Sequence, residues 1–173
     1  MAVRLNHTII AARDKAASAL FLTEIFGRPA PTVLGPFAAV KVGDTTLDFM
    51  DTKEEIASQH YAFLVSETEF DAIFARIKER HLPYWADPYQ RERDVINCWD
   101  DGRGIYFEDP NGHLLEAITR PYGSGGTAVE HPHPLVTHSL KPEHASEHGG
   151  NGKAQGSGGA LCSAERPDIA GKD

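Results

Sequence analysis

The stretch Tyr106-Phe107-Glu108-Asp109-Pro110-Asn111-Gly112-His113-Leu114-Leu115-Glu116 decides how the chain folds. Asp109-Pro110-Asn111-Gly112 is a strong turn signal, so it joins two strands, 103–108 and 113–119. Working outward, Leu115-Glu116-Ala117-Ile118 resembles the earlier Leu47-Asp48-Phe49-Met50. The starts of the two halves also match at an offset of 53 positions: His7 lands on His60, and Ala19-Leu20-Phe21 on Ala72-Ile73-Phe74. A repeat of this period points to two similar supersecondary units packed together. Two imidazoles and one or two carboxylates, at equivalent points of the two copies, are the donors a divalent metal needs.

The first unit reads as a strand over 3–11, with His7 on the face shared by Val3, Leu5 and Ile9. A helix follows over 14–26, with Ala17, Leu20, Phe21 and Ile25 at helical spacing. Gly27-Arg28-Pro29 ends it. A strand near 30–34 precedes a hairpin of 37–42 and 45–50 around Gly43-Asp44. The second unit begins with a strand over 60–65. Ser66 and Glu69 form a capping box opening a helix whose apolar stripe is Phe70, Ile73, Phe74 and Ile77, closed by Pro83. Residues 94–98 and 103–108 read as a hairpin around Asp101-Gly102, before the last strand. Each unit is β-α-β-β-β.

Composition divides the chain after Arg120. Ten of its sixteen glycines lie beyond that point, in a stretch without tryptophan or phenylalanine. Such a segment buries too little apolar surface to offset its ordering entropy, so 121–173 reads as a flexible, Gly/His-rich tail. Residues 1–120 read as the folded domain, with module one at about 1–53 and module two at about 54–120. The net charge of −8 opposes a nucleic-acid partner, which needs a clustered basic face. No signal-peptide layout or bilayer-length apolar run appears, so the expectation is a cytoplasmic protein without membrane contact. Cys98 and Cys162 do not make a disulfide framework. The irregular spacing of His131, His133, His138, His144 and His148 matches no defined zinc motif.

With a histidine on the first strand of each βαβββ unit and a carboxylate on the last, residues 1–120 resemble the vicinal oxygen chelate superfamily. That group includes glyoxalase I, extradiol dioxygenases, fosfomycin-resistance thiol transferases and bleomycin-resistance proteins. The residues that carry the likeness are Leu5-Asn6-His7, His60-Tyr61-Ala62-Phe63 and the stretch 106–116. The resemblance implies an α+β fold of two tandem modules forming a half-open, cup-shaped mixed sheet, here followed by a disordered C-terminal tail. It also implies a divalent metal ion (Fe2+, Mn2+, Ni2+ or Zn2+) held by His7, His60 and Glu116, a small-molecule substrate bound through two neighbouring oxygens, and a homodimer. The layout of two neutral imidazoles and one carboxylate leaves coordination positions open. A charged glutamate between apolar neighbours is costly unless paired or metal-bound, whereas any one of the three alone reads as an ordinary polar residue.

Asp48 matches a glyoxalase I position where a glutamate binds the metal. It is a fourth ligand, a partner of a ligand, the catalytic base, or an edge-strand carboxylate facing solvent. Tyr106 precedes Glu116 by ten residues, as does an active-site tyrosine of the extradiol dioxygenases, and is either functional or a packing aromatic. The catalytic candidates are therefore Glu116, Asp48 and Tyr106. His81, at a helix end, and His113, alternating away from Glu116, read as structural. Tyr84, Trp85 and Arg103 read as candidates for the cup mouth. The chemistry expected is that of a glyoxalase-like lyase or isomerase. The alternatives are a ring-cleaving dioxygenase, disfavoured because Asn97, Cys98 and Trp99 occupy the window of a signature histidine, and a metal-free drug-binding protein.

Overall fold

The structure is a computed structural model describing residues 3–125, 129–135 and 161–162. Its first unit runs β1 (His7–Ala12), α1 (Lys15–Phe26), β2 (Thr32–Leu34), β3 (Phe37–Val42) and β4 (Thr45–Asp51). The second runs β5 (His60–Leu64), α2 (Glu67–Glu79), β6 (Tyr84–Trp85), β7 (Ile96–Asn97), β8 (Gly104–Glu108) and β9 (Leu114–Ile118). A short strand β10 (Leu161–Cys162) pairs with β7. The fold is α+β, with two mixed, open sheets.

Module one has strand order β1-β4-β3-β2, with β1 parallel to β4. Module two repeats this as β5-β9-β8, with β5 parallel to β9. Its second strand is split: β6 and β7 both pair with β8, at Tyr106–Phe107 and at Gly104. The expected strand over 94–98 shrinks to two residues. Gly104 explains why the edge is tight there, since a Cβ would fall 2.5 Å from Asn97 Oδ1. Asn97 is itself buried and donates to the Ala86 carbonyl (2.7 Å). Cys98, next along, is disulfide-bonded.

The helices differ in how they are specified. In α2 the stripe Phe70, Ile73, Phe74 and Ile77 is buried as expected, and the Ser66–Glu69 capping box is present. In α1 the buried residues are Ser18, Ala19, Leu22, Thr23 and Ile25, while Leu20 is half-exposed, so the stripe lies elsewhere than expected. Lys15–Phe26 is apolar nearly all round, so spacing alone does not single out one face. Gly27, not Pro29, ends α1. It adopts φ 61° and donates to the Thr23 carbonyl, a conformation glycine reaches without a Cβ penalty. Arg76 of α2 then donates to the Ile25 carbonyl (3.0 Å), tying the two helices together.

Both sheets turn one face to a single shared core. Ile10, Ala12, Leu47 and Phe49 enter it from module one, and Phe63, Ile105, Phe107, Leu115 and Ala117 from module two. Strand side chains alternate, so Ile9, Asp48, Tyr106 and Glu116 stand on the opposite faces. This corrects the reading of β1. The face His7 shares with Val3, Leu5 and Ile9 is the open side, with those three residues 50% or more exposed. His113 links the modules: its Nε2 contacts the Ala11 carbonyl (2.9 Å) and its Nδ1 accepts from Gln59 N–H (3.1 Å). With Nδ1 an acceptor, Nε2 carries the proton.

Candidate metal and substrate site

Glu116 sits mid-strand on β9, between Ala62 of β5 and Tyr106 of β8. It has no exposed surface. A carboxylate so placed requires compensation, and three side chains supply it. His60 Nε2 lies 3.1 Å from Glu116 Oε2. Tyr122 donates its single hydroxyl hydrogen to both carboxylate oxygens, at 2.6 and 2.7 Å. Because that hydrogen is committed, the 3.0 Å contact between the two phenols is a donation from Tyr106 to Tyr122. The order of donation is Tyr106 to Tyr122 to Glu116, with His60 closing on the same carboxylate.

The phenols are tuned to hold their protons. Burial, then the charge of Glu116, pushes Tyr106 far above the ordinary tyrosine range. Burial and the hydrogen bond to Glu116 do the same for Tyr122. Trp85, the cross-strand neighbour of Tyr106, shares its face. Trp99 packs edge-on to Tyr106 and His133, and His133 stacks on Tyr122 with centroids 3.8 Å apart. His133 is buried, and that burial lowers its pKa. Tyr84 and Arg103 serve other ends. Tyr84 packs edge-on against Phe74, and Arg103 pairs with Glu67 and Asp71 across α2.

His7 stands apart from this cluster. It is exposed on β1, where its Nδ1 meets Asn6 Oδ1 at 2.8 Å. An amide oxygen only accepts, so the proton sits on Nδ1 and the Nε2 lone pair is available to a ligand. Asp48, on the same side of the module-one sheet, is buried, and its Oδ1 has no hydrogen-bond partner among the described residues. Because β4 lies between β1 and β3, Asp48 is not the edge-strand, solvent-facing carboxylate that the sequence left open. Among the described residues, no group of three or more His, Cys, Asp or Glu side chains converges as a metal cage. His60 lies against Glu116, while His7 shares a face of the module-one sheet with Asp48.

The donor atoms fit a divalent ion. Two ligand atoms about 2.1 Å from an ion, at roughly 95° to each other, lie about 3.1 Å apart, matching the His60–Glu116 separation. The free lone pair of His7 and the unpartnered Asp48 oxygen have the chemistry of further donors.

The sequence did not identify Tyr122 and His133 near Glu116, or Trp99 packed beside Tyr106 and His133. Glycine content placed the domain boundary at 120, two residues before Tyr122. The remaining signals were local: a tyrosine directly after Pro121, and His133 set between Pro132 and Pro134. His138, His144 and His148 lie outside the described residues.

Comparison with known proteins adds three findings. The family model described as Glyoxalase/Bleomycin resistance protein/Dioxygenase superfamily matches residues 4–117. The Metallothiol transferase FosB of Shouchella clausii (strain KSM-K16) is 33% identical over 122 residues, which are 66% of this chain and 79% of that protein. Two solved structures, Oxidase ChaP-H1 and Oxidase ChaP-H2, are 55% and 58% identical with TM-scores of 0.70 and 0.71. They match over 99% and 100% of their own chains, and over 70% and 73% of this one.

Proposed function

From the premise that this chain belongs to the Glyoxalase/Bleomycin resistance protein/Dioxygenase superfamily, we propose that it is a metal-dependent oxidase acting on a small, oxygen-rich substrate. The observation that carries the reading is the fully buried Glu116 carboxylate, 3.1 Å from His60. The 55% and 58% identity to Oxidase ChaP-H1 and Oxidase ChaP-H2 favours oxidation over the lyase or isomerase chemistry expected from sequence.

In this proposal His60 and Glu116 of one chain hold the ion together with His7 of a second copy, since His7 does not reach them within one chain. Asp48 comes with His7 and serves as fourth ligand or proton acceptor. A divalent ion at these donors would supply Lewis acidity and a fixed positive charge toward two neighbouring substrate oxygens. Tyr106 keeps its proton, so it acts as a hydrogen-bond donor to a substrate oxygen. The apolar and aromatic surroundings of Glu116 exclude water and strengthen each polar contact there.

The test is metal content and oxygen uptake of the full chain loaded separately with Fe2+, Mn2+, Ni2+ and Zn2+. Wild type is expected to bind about one ion per chain and to consume oxygen with a substrate from an oxygenated small-molecule set. His60→Ala and Glu116→Ala are expected to lose the ion. Full metal retention in both variants would overturn the assignment. A metallothiol transferase is the second reading, favoured by the likeness to FosB. It predicts thiol consumption without oxygen uptake.

A further inference from the structure

Tyr122 and His133 lie beyond residues 4–117, which the family model matches, yet they close over the buried carboxylate of the domain. We infer that the segment carrying them is a strap that competes with a divalent cation for Glu116, so that the ion loads only when the strap is displaced. The inference rests on the metal reading above.

Three observations carry it. First, the Tyr122 hydroxyl engages both Glu116 oxygens. A hydrogen shared by the two oxygens occupies the space between them, where an ion chelated by both would sit. A chelated ion and the strap therefore exclude each other at this carboxylate.

Second, the strap is gripped from its other side by Asp100 and Asp101, both at φ 55°. Asp100 Oδ2 accepts from Gly123 N–H (2.8 Å), and the Asp101 carboxylate accepts from Glu130 N–H (3.1 Å) and His131 N–H (3.0 Å). Asp100 N–H in turn donates to the His131 carbonyl (2.6 Å). Left-handed backbone at two successive aspartates is uncommon, and here it aims both carboxylates at the strap.

Third, the closed state carries its own penalty. Trp99 Nε1 and His133 Nε2 are buried without a hydrogen-bond partner among the described residues. His133 Nδ1 already accepts from Leu135 N–H (3.1 Å), so Nε2 holds the proton and finds no acceptor among the described residues. Unpaired buried donors are costly, and opening the strap returns both to water. The strap is held by the aspartates and by the Tyr122–Glu116 contact, while its closure leaves two buried donors unpaired, so a ligand that replaces the Glu116 contact can displace it.

The test is a Mn2+ titration of the full chain, counting only the binding that Glu116→Ala abolishes. Tyr122→Phe keeps the ring stacked on His133 and removes the hydroxyl. It is expected to bind Mn2+ on the order of tenfold more tightly, the worth of a hydrogen bond to a charged group. Asp101→Asn, which weakens the grip at a distance from Glu116, should shift affinity the same way. In wild type, saturating Mn2+ should speed amide exchange at Gly123 and His131. Equal or weaker Mn2+ binding in both variants would overturn the competition while leaving the metal reading intact. No Mn2+ binding by any chain would overturn both.

Discussion

At the atoms of Glu116, a carboxylate with no exposed surface is accommodated because polar partners converge on both of its oxygens. His60, Tyr122 and, through Tyr122, Tyr106 all direct protons toward it. The sequence identified His60 and Glu116 through the internal repeat, and Tyr106 through its place ten residues before Glu116. It could not identify Tyr122 or His133, whose place follows from the course of the chain after β9. Tyr106 has the most specific role to test. Burial and the Glu116 charge hold its pKa well above the ordinary tyrosine range, so Tyr106→Phe removes a donor without altering charge at neutral pH. Turnover is expected to fall about a hundredfold with metal content unchanged, as read by elemental analysis beside an oxygen-uptake assay. An unaltered rate would reduce Tyr106 to a packing aromatic.

At the scale of elements, α1 and α2 show which signals a sequence carries well. The α2 stripe and its capping box were legible because polar residues alternate with apolar ones and the cap has a fixed spacing. The α1 stripe was misplaced because Leu20, Phe21 and Leu22 offer apolar side chains on different faces, and packing against β3 and β4 decides which is buried. The cap also makes a measurable pH statement. Glu69 is held below the ordinary glutamate range, first by the Ser66 N–H and then by its hydroxyl. A lowered folded-state value means that the stabilisation is present above the unfolded pKa of about 4.3 and fades as pH falls through the folded value. Ser66→Ala removes the N-cap hydroxyl that accepts from Glu69 N–H and should cost about 1 kcal/mol at pH 7. Urea midpoints should show the gap to wild type narrowing below about pH 4.

At the scale of the molecule, the repeat was legible as two βαβββ units, and their sheets follow the same strand order. Which faces meet was not legible. Alternation assigns residues to two faces of a strand but does not say which face the other module covers. The shared core takes the faces of Phe49 and Leu115, leaving those of Asp48 and Glu116 turned away from it. Among the described residues His7 and Glu116 do not converge within one chain, which is why the proposed site takes His7 from a second copy.

The most direct measurement mixes full-length His7→Ala and Glu116→Ala chains, each unable to hold the ion alone, and then determines bound metal. Exchange of subunits restores one intact His7, His60 and Glu116 set in each mixed pair, so metal binding and oxygen uptake are predicted to reappear on mixing. Their continued absence, with subunit exchange shown by mass, would contradict a site shared between two copies.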